Sequence, residues 1–547
     1  MLTNRRQFAF LLILPLLLLI FWTAQASGVV TSWGPNVRAN ADTGTASQHE
    51  PHLAISRTDP DVVVVAAKDY RTANTKEVWI YVSQDGGQTW PAGQQLRIPG
   101  LPGDISEQSD PVVVARDDGR IYVAALGYGS GHGLFLTWSD DDGDTWANSR
   151  SITHNETPGG LDDKEWLAVD NFPASAYYHN LYVAWANDGI LFKRSTDGGE
   201  SWPAYTTLVP GFVEYPYVVV TADGDVYVFY MDGWGYCQSG TIRFVRSSDG
   251  GQSFAPPAGV ATAHQPCSPI HGSGGYDQWR FFSIMGVAAD PNDPDVLWVA
   301  WTDDNNVDYG PTDVLYVLTT DGGTTWSSPQ RLSHDPAGPG RDHITPVLAY
   351  DNNSRLHAFW LDRRADPANQ LFHAYHSSSA DLGQSWEGDN QVSQQPFDLN
   401  LYFPPPTGYN AAGDYWGLDV SGSTIMAAWN TTVESSQDIY VARGQIENNQ
   451  SASLTGRVTD ANTGQPLPLA QISAQPGGIT ATTNASGIYT LTLTAGIYDL
   501  TFTASGYLSQ TFSSFSLPAG VTTWDVALTP LPEPQWWVYL PLAIAHP

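Results

Sequence analysis

The eight residues Ser83-Gln84-Asp85-Gly86-Gly87-Gln88-Thr89-Trp90 return five more times along this chain, and that recurrence constrains the fold more than any other feature. The pattern reads Ser/Thr-x-Asp-x-Gly-x-x-Trp/Phe. Its other copies run from Ser139 to Trp146, Ser195 to Trp202, Ser247 to Phe254, Thr319 to Trp326 and Ser379 to Trp386. Recurrence of this kind means copies of one supersecondary unit that bury their faces against each other. The residue types describe a hairpin tip. Ser/Thr and Asp oxygens accept hydrogen bonds from the amides of their own turn. The glycine supplies a backbone with φ > 0, and the aromatic folds back between neighbouring sheets. Polar groups committed in this way serve the turn and are not candidates for catalysis.

Between the boxes, from Trp33 to about Gly444, short β-rich runs alternate with Gly/Pro/Asp/Asn turns and no long helical periodicity intervenes. Each unit reads as four strands, with the box joining the third to the fourth. Inner strands begin near Glu50, Asp110, Glu165, Glu214, Phe281, Ile344 and Tyr415, which makes seven units against six boxes. The seventh (Trp416–Ser421, Thr424–Asn430, Asp438–Gly444) stops after three strands. Its missing strand is expected at the other end of the chain. Trp33-Gly34-Pro35-Asn36-Val37-Arg38 resembles Trp326-Ser327-Ser328-Pro329-Gln330-Arg331, which opens the fourth strand of unit five. Pairing residues near Asn36 to Asn40 with Asp438–Gly444 would close a ring and remove its open edge.

The repeated box matches the Asp-box, or BNR repeat, of sialidases and sialidase-like β-propellers. The resemblance implies an all-β propeller over 33–444, of seven blades by the strand count and of six if the family's usual number holds. It also implies an active site on the face opposite the boxes, where second-to-third-strand loops and blade-to-blade connections meet around the channel. Sialidases grip the substrate carboxylate with three arginines and use a Tyr–Glu pair as nucleophile and an Asp as acid/base. In this chain Arg71, Arg280 and Arg363 are the arginines that the resemblance would place in such a clamp. Asp69, Glu214 and Tyr415 are the corresponding candidates for chemistry. The first inner strand, Glu50-Pro51-His52, carries no arginine where the family has its first, and Arg97-Ile98-Pro99 follows the first box instead of preceding it.

Beyond Gly444 the composition shifts to Thr and Ser. Leu454-Thr455-Gly456-Arg457-Val458-Thr459-Asp460, Gly487-Ile488-Tyr489 and Gly496-Ile497-Tyr498-Asp499-Leu500 resemble the carboxypeptidase regulatory-like (transthyretin-like) fold. That resemblance implies a small β-sandwich over 452–529, without peptidase activity. Residues 530–547 form a Pro-rich linker and an apolar tail, Trp536 to Ile544, too short to span a bilayer. At the other end, Arg5 and Arg6, an apolar run from Phe8 to Trp22 and Ala24-Gln25-Ala26 read as a signal peptide over 1–26. The chain is therefore expected outside the cell or at its surface, with no stable membrane insertion after cleavage. Cys237 and Cys267 are the only cysteines and are expected to form a disulfide.

A formal net charge of −32 argues against nucleic acid as a partner, since two polyanions repel. The motifs require no cofactor, although the acidic loops would suit calcium. A glycan or glycoprotein ligand and a monomeric state are expected. Three functions fit these features. One is a secreted glycoside hydrolase of exo-α-sialidase type on acidic glycans. Another is a non-catalytic glycan- or protein-binding or adhesion propeller. The third is a different hydrolase or lyase on the same scaffold.

Overall fold

A computed structural model describes residues 29–532 apart from 73–74, 159–161, 234, 268–270, 273–274, 277–282, 305–310, 337–339, 402–412, 435, 448–450, 476–477, 495 and 519. Residues 1–28, with the expected signal peptide, Arg280 and the apolar tail lie outside the described residues. The chain divides into two compact units, one built from Val29–Glu447 and one that contains the C-terminal β-sandwich.

Among the described residues the first unit is a β-propeller of seven blades, as the strand count predicts, plus a two-stranded ribbon of His271–Gly272 and Gly275–Tyr276. Its inner strands are Gln48–Ile55, Ile105–Ala115, Asp163–Val169, Val213–Val220, Gly286–Ala289, His343–Tyr350 and Gly417–Ser421. Each lies against the next, and the seventh lies against the first. Blades 1 to 6 are simple four-stranded antiparallel meanders. Blade 7 takes three strands from the end of the propeller sequence and closes with the N-terminus. Val37–Arg38 pairs with Tyr440–Val441, and Val29–Trp33 extends the pairing along Gly444–Glu447. The closing strand thus begins before Trp33. Val30 is buried with Ile425, Ala442 and Ile446, so this seam is part of the hydrophobic core.

The boxes behave as their residue types dictate. In the first, Asp85 Oδ1 accepts from the amides of Gln88 and Thr89, while Ser83 Oγ accepts from the Gly87 amide and donates to Asp85. The same arrangement recurs at Asp141, Asp197, Asp249, Asp321 and Asp381. These turn donors hold Asp249 down at about 2. The motif's invariant glycine, at the fifth position of the box, has a further reason to be glycine. A Cβ at Gly143, Gly199, Gly251, Gly323 or Gly383 would sit within 3 Å of Val82, Leu136, Phe192, Phe244 or Trp298, each on the preceding blade. The box aromatics fill the same seams, with Phe254 edge-on to Phe192 and Trp386 edge-on to Trp298.

The second unit is a two-sheet β-sandwich. Ser451–Asp460 pairs with Ile488–Thr494 and, in parallel, with Gly520–Thr523 and Val526–Leu528. Gln471–Gln475 sits between Ile479–Thr482 and Gly496–Thr503. Alternation in the sequence sets which face is inside. Tyr489, Leu491 and Leu493 point into the core from one sheet, and Leu500 and Phe502 from the other.

Candidate functional site

On the face away from the boxes, five inner strands share one irregularity. Glu50, Asp110, Lys164, Tyr215 and Thr345 all have φ between 52° and 58°. At each, the pairing with the second strand slips. Such a bulge bends the strand and re-aims its side chains. Left-handed backbone at bulky residues costs of order 1–3 kcal/mol each and persists only where the surroundings impose it. Proline follows in four of the five cases (Pro51, Pro111, Pro216, Pro346), and Glu165 stands in that slot in the third blade.

The bulges deliver a cluster of carboxyls around two ammoniums at the mouth of the channel. Lys164 Nζ lies 3.1 Å from Asp110 and 2.5 Å from Asp414. Lys68 Nζ pairs with Glu50 and reaches Asp110 at 3.6 Å. Burial pushes Asp110 up, but Lys164 and Lys68 together outweigh it and hold this carboxyl well below the usual range. Burial dominates at Glu50, which rises to about 7. Glu165 is pushed up by burial and then by Asp110, and neither of its buried oxygens has a hydrogen-bond partner. Closer to solvent, burial and then Asp163 raise the half-buried Glu214 to about 7. Asp163 is itself raised, by burial and by Asp110 and Asp414, against Lys164.

Beneath the cluster the channel is plugged by rings. Trp166 stacks on Tyr217 at 3.9 Å, and His52 and Tyr415 meet Trp166 edge-on. The Tyr415 hydroxyl donates to the Pro111 carbonyl at 3.0 Å. On the far side of the plug a cavity of about 820 Å3 runs toward the box face, past Val114, Ala168 and Ala349 to Arg57, Asp117 and Asn171.

The residues chosen from the sequence fall into distinct settings. Glu214 stands at the mouth. Tyr415 is in the plug, where burial, followed by Asp110, Glu50 and Glu165, keeps its phenol neutral. Asp69 and Arg71 belong instead to an intrablade staple. Asp69 accepts from the Arg71 amide at 2.8 Å, from Arg71 Nε at 2.7 Å and from the Tyr81 hydroxyl at 2.8 Å. The Arg71 guanidinium lies over Trp79 at 4.3 Å. Blade 6 repeats the device. Asp362 accepts from the Arg364 amide and Nε at 2.7 Å and from Trp360 Nε1 at 2.9 Å, with Arg364 over Tyr375. The shared Asp-x-Arg spacing is visible in the sequence. Arg363 is fully buried, bonded to Asp342 at 3.0 Å and packed on Phe372 at 4.0 Å. Arg71 and Arg363 therefore sit in separate networks of blades 1 and 6. Cys237 and Cys267 form a disulfide beside blade 4. The sequence marks the loops Asp162–Trp166 and Asp414–Trp416 as rich in functional side chains, but it assigns no role to Glu50, Asp110, Asp163, Lys164, Glu165 or Asp414. Their shared signal is position, since each lies at or within two residues of an inner-strand start expected from the sequence near Glu50, Asp110, Glu165 or Tyr415.

A group of Asp117, Asp118 and His179 could hold a metal, but it lies at the turns of the box face, away from the mouth. There Asp118 already pairs with Arg116 and Asp117 with His179.

Fold and motif define the class: an Asp-box β-propeller carrying a second β domain. Residues 51–228 match the BNR repeat-like domain family and residues 453–529 the carboxypeptidase regulatory-like domain family. Among curated proteins, a xyloglucanase of a Paenibacillus species is 28% identical over 294 residues, covering 50% of this chain and 26% of that protein. A xyloglucanase of Acetivibrio thermocellus is 24% identical over 366 residues, covering 58% of this chain and 38% of that protein. The chain thus spans well under half the length of these relatives. Among solved structures, a Hadza microbial sialidase aligns at 15% identity and TM-score 0.39, covering 72% of this chain and 65% of that one. An α-L-arabinanase of Penicillium chrysogenum aligns at 13% identity and TM-score 0.41, covering 76% and 98%.

Proposed function

We propose that this chain is a secreted glycoside hydrolase working at the box-free mouth, with Glu214 as proton donor and Asp163 as its carboxylate partner. The observation that carries the reading is the setting of Glu214. It is half-buried at the mouth, beside a second carboxyl, and raised to about 7. Glycosidases need a carboxyl that is protonated near neutral pH to donate to the leaving oxygen, and a second one to serve as base or nucleophile. Burial and a like-charged neighbour are the two physical means of raising a carboxyl in this way. The curated relatives are xyloglucanases, which favours an uncharged β-glucan as substrate.

The narrower sialidase reading draws on Tyr415 with Glu165 in its field. That chemistry needs an anion clamp and a polarised phenol. Arg71 and Arg363 are spent on Asp69 and Asp342, and Tyr415 is held neutral, so the neutral-glycan reading is the better supported.

The test is hydrolysis of xyloglucan, mixed-linkage β-glucan, arabinan and a fluorogenic sialoside by the purified protein and by Glu214→Gln. Cleavage of a neutral polymer that the variant loses is the expected result. Sialoside cleavage abolished by Tyr415→Phe would install the sialidase reading instead. Binding without cleavage would make the propeller a glycan-binding module.

A further inference from the structure

The cavity of about 820 Å3 beyond the ring plug shares no residue with the carboxyl cluster of the mouth. Blades 2 to 6 each give its wall one half-buried aliphatic side chain: Val114, Ala168, Val219, Ala289 and Ala349. Their strand neighbours Val113, Leu167, Val218, Ala288 and Leu348 are buried. Three lining residues bring charge, Arg57, Asp117 and Asp419, and each is already paired. Asp419 accepts from Arg57 at 2.9 Å and from the amides of Ile55 and Val420, while Asp117 meets His179 at 2.6 Å.

The floor is made of rings. Trp166, stacked on Tyr217 at 3.9 Å, lines it together with His52, which meets Trp166 edge-on at 5.2 Å. His52 Nδ1 accepts from the Val113 amide at 3.1 Å. Burial pushes this imidazole down to about 4, so the ring is neutral and carries its hydrogen on Nε2. The floor thus combines aromatic faces and edges with a hydrogen-bond donor. At the other end the exposed Asn352, Gly422 and Ser423 form part of a polar rim. A volume of this size, mostly hydrocarbon in its side chains and supplied with a few placed polar groups, has the make-up of a small-molecule site.

We propose that the channel is a second binding site, entered from the box face, for an uncharged aromatic molecule that carries one hydroxyl or carbonyl oxygen. The ring system would lie between the aliphatic walls and meet the floor rings offset or edge-to-face, as aromatic pairs prefer. Its oxygen would accept from His52 Nε2. A charged ligand finds no unspent counter-charge among the lining side chains, and an aliphatic chain forgoes the ring contacts of the floor. The plug separates this site from the mouth, so it is independent of the hydrolytic reading.

The experiment titrates the full chain calorimetrically with 2-naphthol, naphthalene, 1-octanol and 2-naphthalenesulfonate. Wild type should bind one 2-naphthol, roughly two- to ten-fold tighter than naphthalene, the scale of one hydrogen bond. Octanol and the sulfonate should bind more weakly still. Ala168→Phe and Ala349→Phe, from blades 3 and 6, each place a ring in the channel and should raise the Kd for 2-naphthol by about ten-fold or more. Their denaturation midpoints are measured alongside, and the wild-type probe comparison stands if either variant fails to fold. No binding of 2-naphthol by wild type overturns the site. Binding that both folded variants retain places the ligand elsewhere and overturns it equally. Octanol or the sulfonate bound as tightly as 2-naphthol overturns the assigned chemistry.

Discussion

Lys164 Nζ lies 2.5 Å from Asp414 Oδ2, a contact between residues 250 positions apart in the sequence. It spans the mouth from blade 3 to the entry of blade 7, while the same ammonium meets Asp110 of blade 2 at 3.1 Å. One cation therefore ties three blades at the point where their carboxylates would repel each other. Lys164→Met should leave two buried carboxylates short of their partner, a loss of about 3–5 kcal/mol. Chemical denaturation should show a clearly lower midpoint, with Lys164→Arg between the two. An unchanged midpoint in the methionine variant would mean that Lys68 alone neutralises the cluster.

The same charges set the pH dependence expected of catalysis. A proton donor works only while protonated, and Glu214 is raised to about 7. kcat/KM should fall about ten-fold per pH unit above that value, and fall again in acid as Asp163 takes up its proton. Asp163 is one cause of the raised value, so in Asp163→Asn, where loss of the second carboxylate stops turnover, the Glu214 carboxyl should titrate at lower pH by carboxyl NMR. Glu214→Gln should lower turnover by roughly 10²–10⁴-fold. A Glu214 titration that Asp163→Asn leaves in place would assign the raised value to burial alone.

The scaffold was legible because its signals are local and repeated. Each box carries its own hydrogen-bond donors and acceptors, so its turn could be read from eight residues. Strand counting and the likeness of Trp33–Arg38 to Trp326–Arg331 located the closing strand before any contact was known. The site was harder to read because it depends on backbone register. Glu50, Asp110 and Lys164 meet only because each sits on a left-handed bulge, and no side-chain pattern announces a slipped register. Glu214 was within reach because it opens an inner strand. Asp69 and Arg71 drew attention as charged residues near the channel, yet the recurrence of their spacing at Asp362 and Arg364 marks a structural staple.

The glycine in the box that touches the preceding blade should be the least replaceable residue of the motif. Gly199 has φ 91°, and a Cβ there would lie 2.6 Å from Leu136 Cδ2. Gly199→Ala combines the left-handed penalty with a clash in a packed seam, roughly 2–4 kcal/mol together. Gly422→Ala shares the positive φ (57°) but meets nothing within 4 Å, and should cost about 1–2 kcal/mol. Equal melting temperatures for the two variants would show that the seam relaxes around the added methyl.

Acid should weaken the ring near its closure. His376 meets Trp33 of the closing segment edge-on at 5.3 Å and lies 3.1 Å from His357 across a ring-nitrogen contact. Both histidines are buried, and both are shifted below their ordinary value. At His376, burial is the main cause, followed by His357 and Arg355. At His357, burial and Arg355 prevail over Asp351 and Glu387, which favour its charged form. The unfolded chain takes up these protons below about pH 6.5, whereas the folded chain resists them. Stability from this pair is therefore full above that value and is lost as pH falls through it toward the depressed folded values. His343 acts in the opposite direction. Asp313, Asp335 and Asp362 raise it against burial, so its contribution is full in acid and disappears only as pH climbs through its raised value. Between pH 7 and 5.5 the wild type should lose stability relative to His376→Gln, which cannot take up the proton, so the pH slopes of the two denaturation midpoints should diverge in the variant's favour. A variant whose midpoint follows the wild-type slope throughout would place the acid sensitivity elsewhere than at the closing seam.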